Sequence, residues 1–469
     1  MALPQNRLIP LIVAVALFME NMDSTVIATS LPAIAADIGT NPLALKLAVT
    51  SYLLSLAVFI PASGWTADRF GTRTVFRAAI AVFIVGSIGC ALSSSLTDFV
   101  IARIVQGIGG AMMTPVGRLV LVRSIDKRDL VGAMAWVSTP ALIGPVLGPP
   151  VGGFITTYAT WHWIFLINVP IGLIGIVMVT RYIEDIRAEE QVAFDWTGMV
   201  LAGLGIAGVA FGFSIIGMNF LPWPIAVALV AGGALFVAAY LRHRKRVPNP
   251  VLDLSLLKVP TFRTSITGGF LFRVGMGALA FLLPLMLQVG FGMTPFKSGL
   301  ITFGTALGAM TMKLGVARIL RRWGFRAVLT FNAIISAAFL AVCALFTIDT
   351  PVIVIFVTLV VGGFFRSLEF TSINTLAFAD IEPQRASRAT SMMSVAQQLS
   401  ISTGVALGAM IVETSAHLKD RALAGVDDFA LAFVLTAAVS VSAAAIFARL
   451  KPDAGAEMAN RVSDQRAAR

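Results

Sequence analysis

The sequence predicts an all-α polytopic membrane protein: two six-helix halves with two further helices inserted between them, 14 transmembrane helices in all. Three observations predict it. The 469 residues are 57% hydrophobic and only 13% charged, about half the charge of a soluble globular domain, which carries roughly 25%. The mean hydropathy is +0.88, and the apolar residues run along the whole chain rather than forming one anchor. The Lys and Arg residues gather on alternate loops. This composition excludes disorder, a coiled coil, an ordinary soluble enzyme and a lone signal peptide. Two cysteines, Cys90 and Cys343, make no disulfide framework.

A spanning helix takes about 20 mostly apolar residues. Such stretches lie near 8–33, 47–66, 76–95, 98–121, 131–156, 163–181, 196–217, 222–241, 264–289, 298–317, 327–347, 351–377, 390–413 and 428–448. Each is long, rich in Gly, Ala, Val and Leu, and lacks strict alternation, so helices fit and an outer-membrane barrel does not. The first follows a short basic start at Arg7. It is too long for a signal-peptide core and carries Glu20 and Asp23, so it reads as an uncleaved span.

With the N-terminus placed in the cytoplasm, 26 of the 35 cationic residues fall on inner segments. Four (Lys46, Lys297, Lys419, Arg421) fall outside and five (Arg103, Arg118, Arg273, Lys313, Arg366) within spans. A wrong span number would scramble that alternation. The positive-inside rule therefore predicts 14 spans with both termini cytoplasmic, and the +11 net charge is a topology signal rather than a nucleic-acid patch. The run RHRKR at 242–246 belongs to it and faces anionic lipid.

The hexamer DRFGTR (68–73) after span two is echoed by RRWGFR (321–326) after span ten, and Cys90 and Cys343 share the same offset of 253 residues. The organisation is residues 1–185 as a first six-helix half, 186–245 as two inserted spans, 246–450 as a second six-helix half and 451–469 as a cytoplasmic tail. Duplicated halves of this size are the architecture of many secondary transporters, whose sites lie near the midplane. The inserted spans carry no buried charge and are expected outside a transport path.

Three segments carry motifs. In the first inner loop, Gly64 and Gly71 allow close helix approach and a tight turn. Asp68 is placed to accept from a neighbouring helix N-terminus, with Arg69 and Arg73 facing the cytoplasm. Together they read as a conformational latch, or more simply as a basic inner loop. Span four reads Arg103-Ile-Val-Gln106-Gly107-Ile-Gly109-Gly110-Ala111. Span five is dense in glycine and proline, with Gly144, Pro145, Gly148, Pro149, Gly152 and Gly153. Such a helix suits a bend at a moving interface, or simply tight packing. Tyr158, Trp161, His162 and Trp163 read as an aromatic belt.

Charges inside a bilayer are costly and mark function. Glu20 and Asp23 lie three apart on one helix face. Two carboxylates this close in low dielectric do not readily both ionise, and a carboxyl that exchanges a proton is what a proton carrier needs. Arg103 is a candidate partner for either, with Gln106 one turn on; permanent locking of Asp23 to Arg103 is the structural alternative. Arg366 and Glu369 are spaced for mutual neutralisation. Arg118 and Lys313 can snorkel, whereas Arg273, without a local partner, looks for a distant carboxylate or an anionic substrate. Gln106, Arg118, Arg273, Lys313, Arg366 and Glu369 are the candidate cavity residues.

These motifs resemble those of the major facilitator superfamily: the loop G-x-L-A-D-R-x-G-R-R, the span-four R-x-x-Q-G-x-G-x-A and the span-five G-P-x-x-G-G "antiporter" signature, here interrupted by Pro149–Pro150. Fourteen spans, WHWIFLINVPIG (161–172) and FDWTGMVL (194–201) resemble its 14-span drug:proton antiporter branch, and with PASGW (61–65) and GRL (117–119) the MdtD-like exporters in it. In the second-half loop Arg321 stands where the first has Asp68, which implies an asymmetric latch. The resemblance implies the major facilitator fold, an acidic coupling residue near Asp23, a bacterial inner (plasma) membrane, amphipathic drugs as substrates, and either an accessory periplasmic or outer-membrane partner or a monomer.

A proton-coupled exporter working by alternating access is therefore expected, with Glu20, Asp23 and Arg103 coupling. One proton crossing 100 mV releases about 2.3 kcal/mol, roughly a 50-fold accumulation. No G-x-x-x-x-G-K-[ST], HExxH, paired CxxC or GxSxG occurs, and the three histidines are scattered, so no enzyme, metal or cofactor is expected. The alternatives are export of organic anions, an uncoupled facilitator or importer of the same fold, and a scaffold.

Overall fold

The structure is a computed structural model that describes residues 5–125, 130–187, 193–215, 222–313, 315–421 and 424–458. Among the described residues all regular structure is helical. The long helices are α1 (Gln5–Val26), α2 (Lys46–Phe59), α3 (Thr72–Ala91), α4 (Leu96–Ser124), α5 (Leu130–Tyr158), α6 (Asn168–Tyr182) and α7 (Trp196–Ile215). After them come α8 (Trp223–His243), α9 (Pro260–Leu285), α10 (Pro295–Met312), α11 (Val316–Val342), α12 (Val352–Leu376), α13 (Ala386–Leu418) and α14 (Val426–Val441). They fall where the apolar stretches predict them. Among the described residues twelve helical segments are counted as long and apolar enough to cross a membrane; α5 and α10 are not among them, and 14 crossings are expected from sequence. Of the expected inner cations, Lys127, Arg128, Arg461, Arg466 and Arg469 lie outside the described residues.

The chain divides into two compact units, Met1–Val251 with Thr294–Gly299, and Leu252–Met293 with Leu300–Arg469. The 253-residue repeat is visible in the backbone: Gly71 (φ 96°) and Gly324 (φ 75°) take the same left-handed turn, which glycine adopts without the Cβ clash that other residues meet.

Lipid chains are as apolar as leucine, so helices in a bilayer associate by close packing and polar contacts rather than by hydrophobic burial. In the first unit Gly144, Gly148 and Gly152 form a one-face stripe on α5. A Cβ at these positions would meet Phe18 O, Thr25 Oγ1 and Val26 O of α1, so the glycines let the two backbones touch. Helix α5 runs unbroken from Leu130 to Tyr158. Helix α7 packs on α2, where Gly203 faces Val58, and His243 at the end of α8 contacts Asp195 at 2.6 Å. Tyr158 and Trp163 are exposed as a belt requires, but Trp161 is buried: it packs edge-on against Phe99 and donates to Asp37 at 3.0 Å.

The second unit has an apolar core around Phe262, Phe272, Phe325, Leu329 and Phe447. Ahead of α9, Asp253 accepts from Ser255 N at 3.0 Å and from Arg385 Nη2 at 3.0 Å, with Arg388 at 3.7 Å. This ties the approach to α9 to the start of α13. Burial works against the charge on Asp253, but hydrogen bonds from Ser255 and Arg385 hold its carboxyl below its ordinary range. A depressed carboxyl stabilises the fold above its unfolded pKa, and that contribution is lost as the pH falls through the folded one. Asp253→Asn is expected to cost about 1 kcal/mol from pH 8 down to about pH 5, with the gap to wild type closing below about pH 4; unfolding in detergent followed against pH measures it.

Candidate functional site

Five helices of the first unit meet at Asp23. It sits on α1, fully buried, and Arg103 of α4 donates to its Oδ2 from Nη1 at 2.7 Å. Gln106, one turn further along α4, and Asn168, the first residue of α6, each donate to Oδ1 at 2.9 Å. Gln106 Nε2 also reaches Ser87 Oγ of α3 at 2.8 Å, while its Oε1 accepts from Arg103 at 2.5 Å. The Arg103 guanidinium lies 4.1 Å over the Tyr52 ring of α2. An ion pair in low dielectric persists only where added hydrogen bonds satisfy its spare donors and acceptors, and here both carboxylate oxygens are occupied. Asp23 is thus paired with Arg103 in this structure. Gln106, expected as a cavity residue, is a buried member of this network.

Glu20, one turn earlier on α1, is only half-buried, and its Oε2 accepts from Thr114 Oγ1 of α4 at 2.6 Å. A Cβ on Gly110 would meet Glu20 Cγ at an ordinary 3.7 Å and would sit 3.2 Å from the Tyr52 hydroxyl. That hydroxyl is buried and has no hydrogen-bond partner. Arg118 follows one turn after Thr114 and is exposed. The two carboxylates share a helix face but have different surroundings.

The first inner loop forms a clasp, with different partners from those the sequence indicates. Asp68 does not sit at a helix N-terminus; it accepts from Arg123 Nη2 at 2.5 Å. The start of α3 has a glycine, Gly71, at its N-cap, with no side chain to satisfy the first amides. Asp185, from the segment after α6, supplies the missing acceptor: Thr74 N and Thr74 Oγ1 donate to it, each at 3.1 Å. Arg123 and Thr72 N also donate to Ile186 O. A Cβ on Gly71 would overlap the Asp185 carboxylate, whereas around Gly64 there is open space. Gly71 makes a close approach; Gly64 does not. Arg69 is exposed and Arg73 half-buried.

In the span-five motif, Thr29 Oγ1 donates to Pro149 O at 3.3 Å, and Gly153 faces Pro295. Pro145 is half-buried beside the glycine stripe.

In the second unit, Arg366 and Glu369 do not neutralise each other. Arg366 donates to Thr305 Oγ1 at 3.3 Å, and Glu369 accepts from Asn332 Nδ2 at 3.0 Å. Arg273 is fully buried and donates to Asn374 Oδ1 at 3.0 Å, leaving its Nε and Nη1 without acceptors. No ion pair among the described residues joins these three charges. Lys313 is exposed at the end of α10. Sequence reasoning missed Asn168, Ser87, Thr114, Tyr52, Asp185, Asn332 and Asn374; Asn168 alone had a signal, as a polar residue inside the quoted 161–172 run.

Membrane-crossing helices in two units, with a repeated turn and ion-pairing side chains deep inside the helices, define a membrane transporter of the duplicated-half type. The chain belongs to the Major Facilitator Superfamily, whose profile matches residues 13–246, 195–405 and 265–467; it is a transporter and not an enzyme. It is 38% identical over 452 residues, 94% of each chain, to the "Putative multidrug resistance protein MdtD" of Salmonella heidelberg strain SL476. Among solved structures it is similar to a D-xylose-proton symporter, with a TM-score of 0.67 at 15% identity over 96% of this chain and 98% of that one. It is also similar to the human organic anion transporter MFSD10, with a TM-score of 0.60 at 14% identity over 95% and 100% of the two chains. The last two likenesses show the fold alone.

Removing the charge of Asp23 strands a buried guanidinium. Asp23→Asn is expected to destabilise the protein by about 3–5 kcal/mol and Glu20→Gln by no more than about 1 kcal/mol, compared by unfolding in detergent. In the clasp, Gly71→Ala should cost about 1–2 kcal/mol or more through its left-handed φ, while Gly64→Ala is within about 0.5 kcal/mol of wild type.

Proposed function

We propose that this protein is a proton-coupled exporter of small amphipathic molecules, working by alternating access in a bacterial inner membrane. The observation that carries the reading is the separation of Glu20 from Asp23. A proton carrier must gain and lose its proton within each cycle, and Asp23 is held by three donors at once, whereas Glu20 has one neutral hydroxyl and a half-open position. Glu20 takes a proton from the outer water as substrate leaves and returns it to the inner water as substrate binds. Asp23, Arg103 and Gln106 hold α1 against α4 and set the field in which Glu20 titrates.

The same reading includes 14 crossings, with α5 and α10 spanning alongside the other twelve long helices, both termini cytoplasmic, and the halves divided as 1–185, 186–245 and 246–450. The clasp at Asp68, Arg69, Gly71 and Arg73 holds one conformation and opens in the other. The Gly144–Gly153 motif keeps α5 against α1 through the cycle. The resemblance to an exporter named for multidrug resistance supports drug-like substrates. The excess of buried arginine in the second unit, at Arg273 and Arg366, favours a second reading in which organic anions are carried.

Reconstitution in proteoliposomes tests both. Glu20→Gln should lower ΔpH-driven movement of a cationic dye at least tenfold while dye exchange down its own gradient continues. A full ΔpH-driven rate in that variant overturns the assignment of Glu20. Transport of aromatic carboxylates with no transport of cationic dyes replaces the drug reading with the anion reading.

A further inference from the structure

The two units differ in the charges they bury well inside their helices. In the first, Arg103 pairs with Asp23, while Glu20, half-buried one turn away, accepts only from the neutral Thr114 hydroxyl, so these three charges sum to zero when Glu20 carries a proton. In the second, the buried charges well inside are Arg273, Arg366 and Glu369, with Glu413 half-buried toward the end of α13; Asp428, at the start of α14, is matched by Lys419 at 2.7 Å and Arg421 at 3.5 Å. With Glu369 ionised these three sum to one positive charge, and no arginine sheds its proton to relieve it. An uncompensated ion out of water costs several kcal/mol.

A small cavity adjoins the surplus. It is lined by Arg366, Ser336 and Ser440 together with apolar atoms of Phe272, Gly275 and Leu340. Its open volume of about 10 Å³ is room for one water or one ion of similar size. Arg366 is 7% exposed and makes one long hydrogen bond, to Thr305 at 3.3 Å. Ser336 is 3% exposed and its hydroxyl has no hydrogen-bond partner among the described residues. The Ser440 hydroxyl makes only a 3.4 Å contact, with Phe272 O.

We propose that this cavity is a binding site for a small monovalent anion of the halide class, held by the Arg366 guanidinium and the Ser336 and Ser440 hydroxyls. A guanidinium and hydroxyl donors in an otherwise apolar wall are suited to a spherical, weakly hydrated anion. A water molecule would satisfy the donors but leave the charge unmatched. A carboxylate brings the right charge, but its substituent needs more room than the cavity has.

The test uses the full-length protein in nanodiscs of phosphatidylcholine, with the sodium salts of gluconate, acetate, chloride and bromide exchanged at constant ionic strength. Chloride and bromide, but not acetate, should raise the unfolding midpoint over gluconate by about 2 °C or more. Crystals grown in bromide should show an anomalous peak within hydrogen-bonding reach of Ser336 Oγ. Ser336→Ala should weaken the apparent chloride affinity about fivefold, the equivalent of one ordinary hydrogen bond, and Arg366→Gln should abolish the response. Should Arg366→Gln fail to fold, Ser336→Ala and the anomalous signal decide. Equal midpoints in all four salts with no anomalous peak overturn the site. An acetate response as large as that of chloride overturns the halide assignment and makes the cavity a carboxylate site.

Discussion

The first unit is organised around one ion pair, Asp23–Arg103. In water such a pair contributes little; inside a bilayer the alternative is a bare charge in hydrocarbon, so the pair and its hydrogen-bonding neighbours constrain everything that touches them. Arg103 spends its donors on Asp23 and Gln106, Gln106 fixes Ser87, and Asn168 closes the set from the first turn of α6. Helices α1, α3, α4 and α6 are thereby fixed in register to one another, and α2 joins through the Tyr52 ring beneath the guanidinium. A group so completely satisfied is poorly suited to exchanging a proton, because each exchange would break several bonds at once. The proposed proton-carrying role of Glu20, one helical turn along, rests on that constraint.

Helix α1 is held on a second side by a different means. Along Gly144, Gly148 and Gly152 the α5 backbone lies directly on the α1 backbone at Phe18, Thr25 and Val26. Between the polar lock and the glycine stripe α1 has little freedom, and Glu20 points at the part of its surface left over, toward Thr114 and Gly110. The small residues of span four and span five therefore do related work. On α5 they bring a helix close, and at Gly110 of α4 they leave room beside the Tyr52 hydroxyl.

Local pattern made the spans, the repeat and the buried charges legible, because each depends on a few neighbouring residues or on a count. The pairing of Asp23 with Arg103 was among the readings the sequence allowed, since both were charges inside spans that needed partners. Its completion was not legible: Asn168 is 145 positions from Asp23, and a single asparagine in an apolar span carries no signal of where it points. Spacing also misled. Arg366 and Glu369 are three apart, as helical ion pairs are, yet Thr305 and Asn332 on other helices took them. Asp68 looked like the acceptor for a helix start because it lies beside one, but Asp185, on a segment that returns from α6, fills that position. In each case the long-range fold outbid the local spacing.

The repeat sharpens the contrast between the units. Gly71 and Gly324 keep the same left-handed turn 253 residues apart, so the duplicated scaffold has held its backbone geometry at this point. The charges placed on it have not been held. Arg321 stands at the position equivalent to Asp68, and well inside the helices the first unit sets Glu20 and Asp23 against Arg103 while the second sets Arg273 and Arg366 against the buried Glu369. A surplus carboxyl reaches neutrality by taking up a proton, which water supplies on either side of the membrane. A surplus guanidinium has no such route and reaches neutrality only by gaining an anion. The proposed proton carrier of the first unit and the proposed anion site of the second are thus two answers to one electrostatic problem, divided by which residue of each sign the sequence left unmatched.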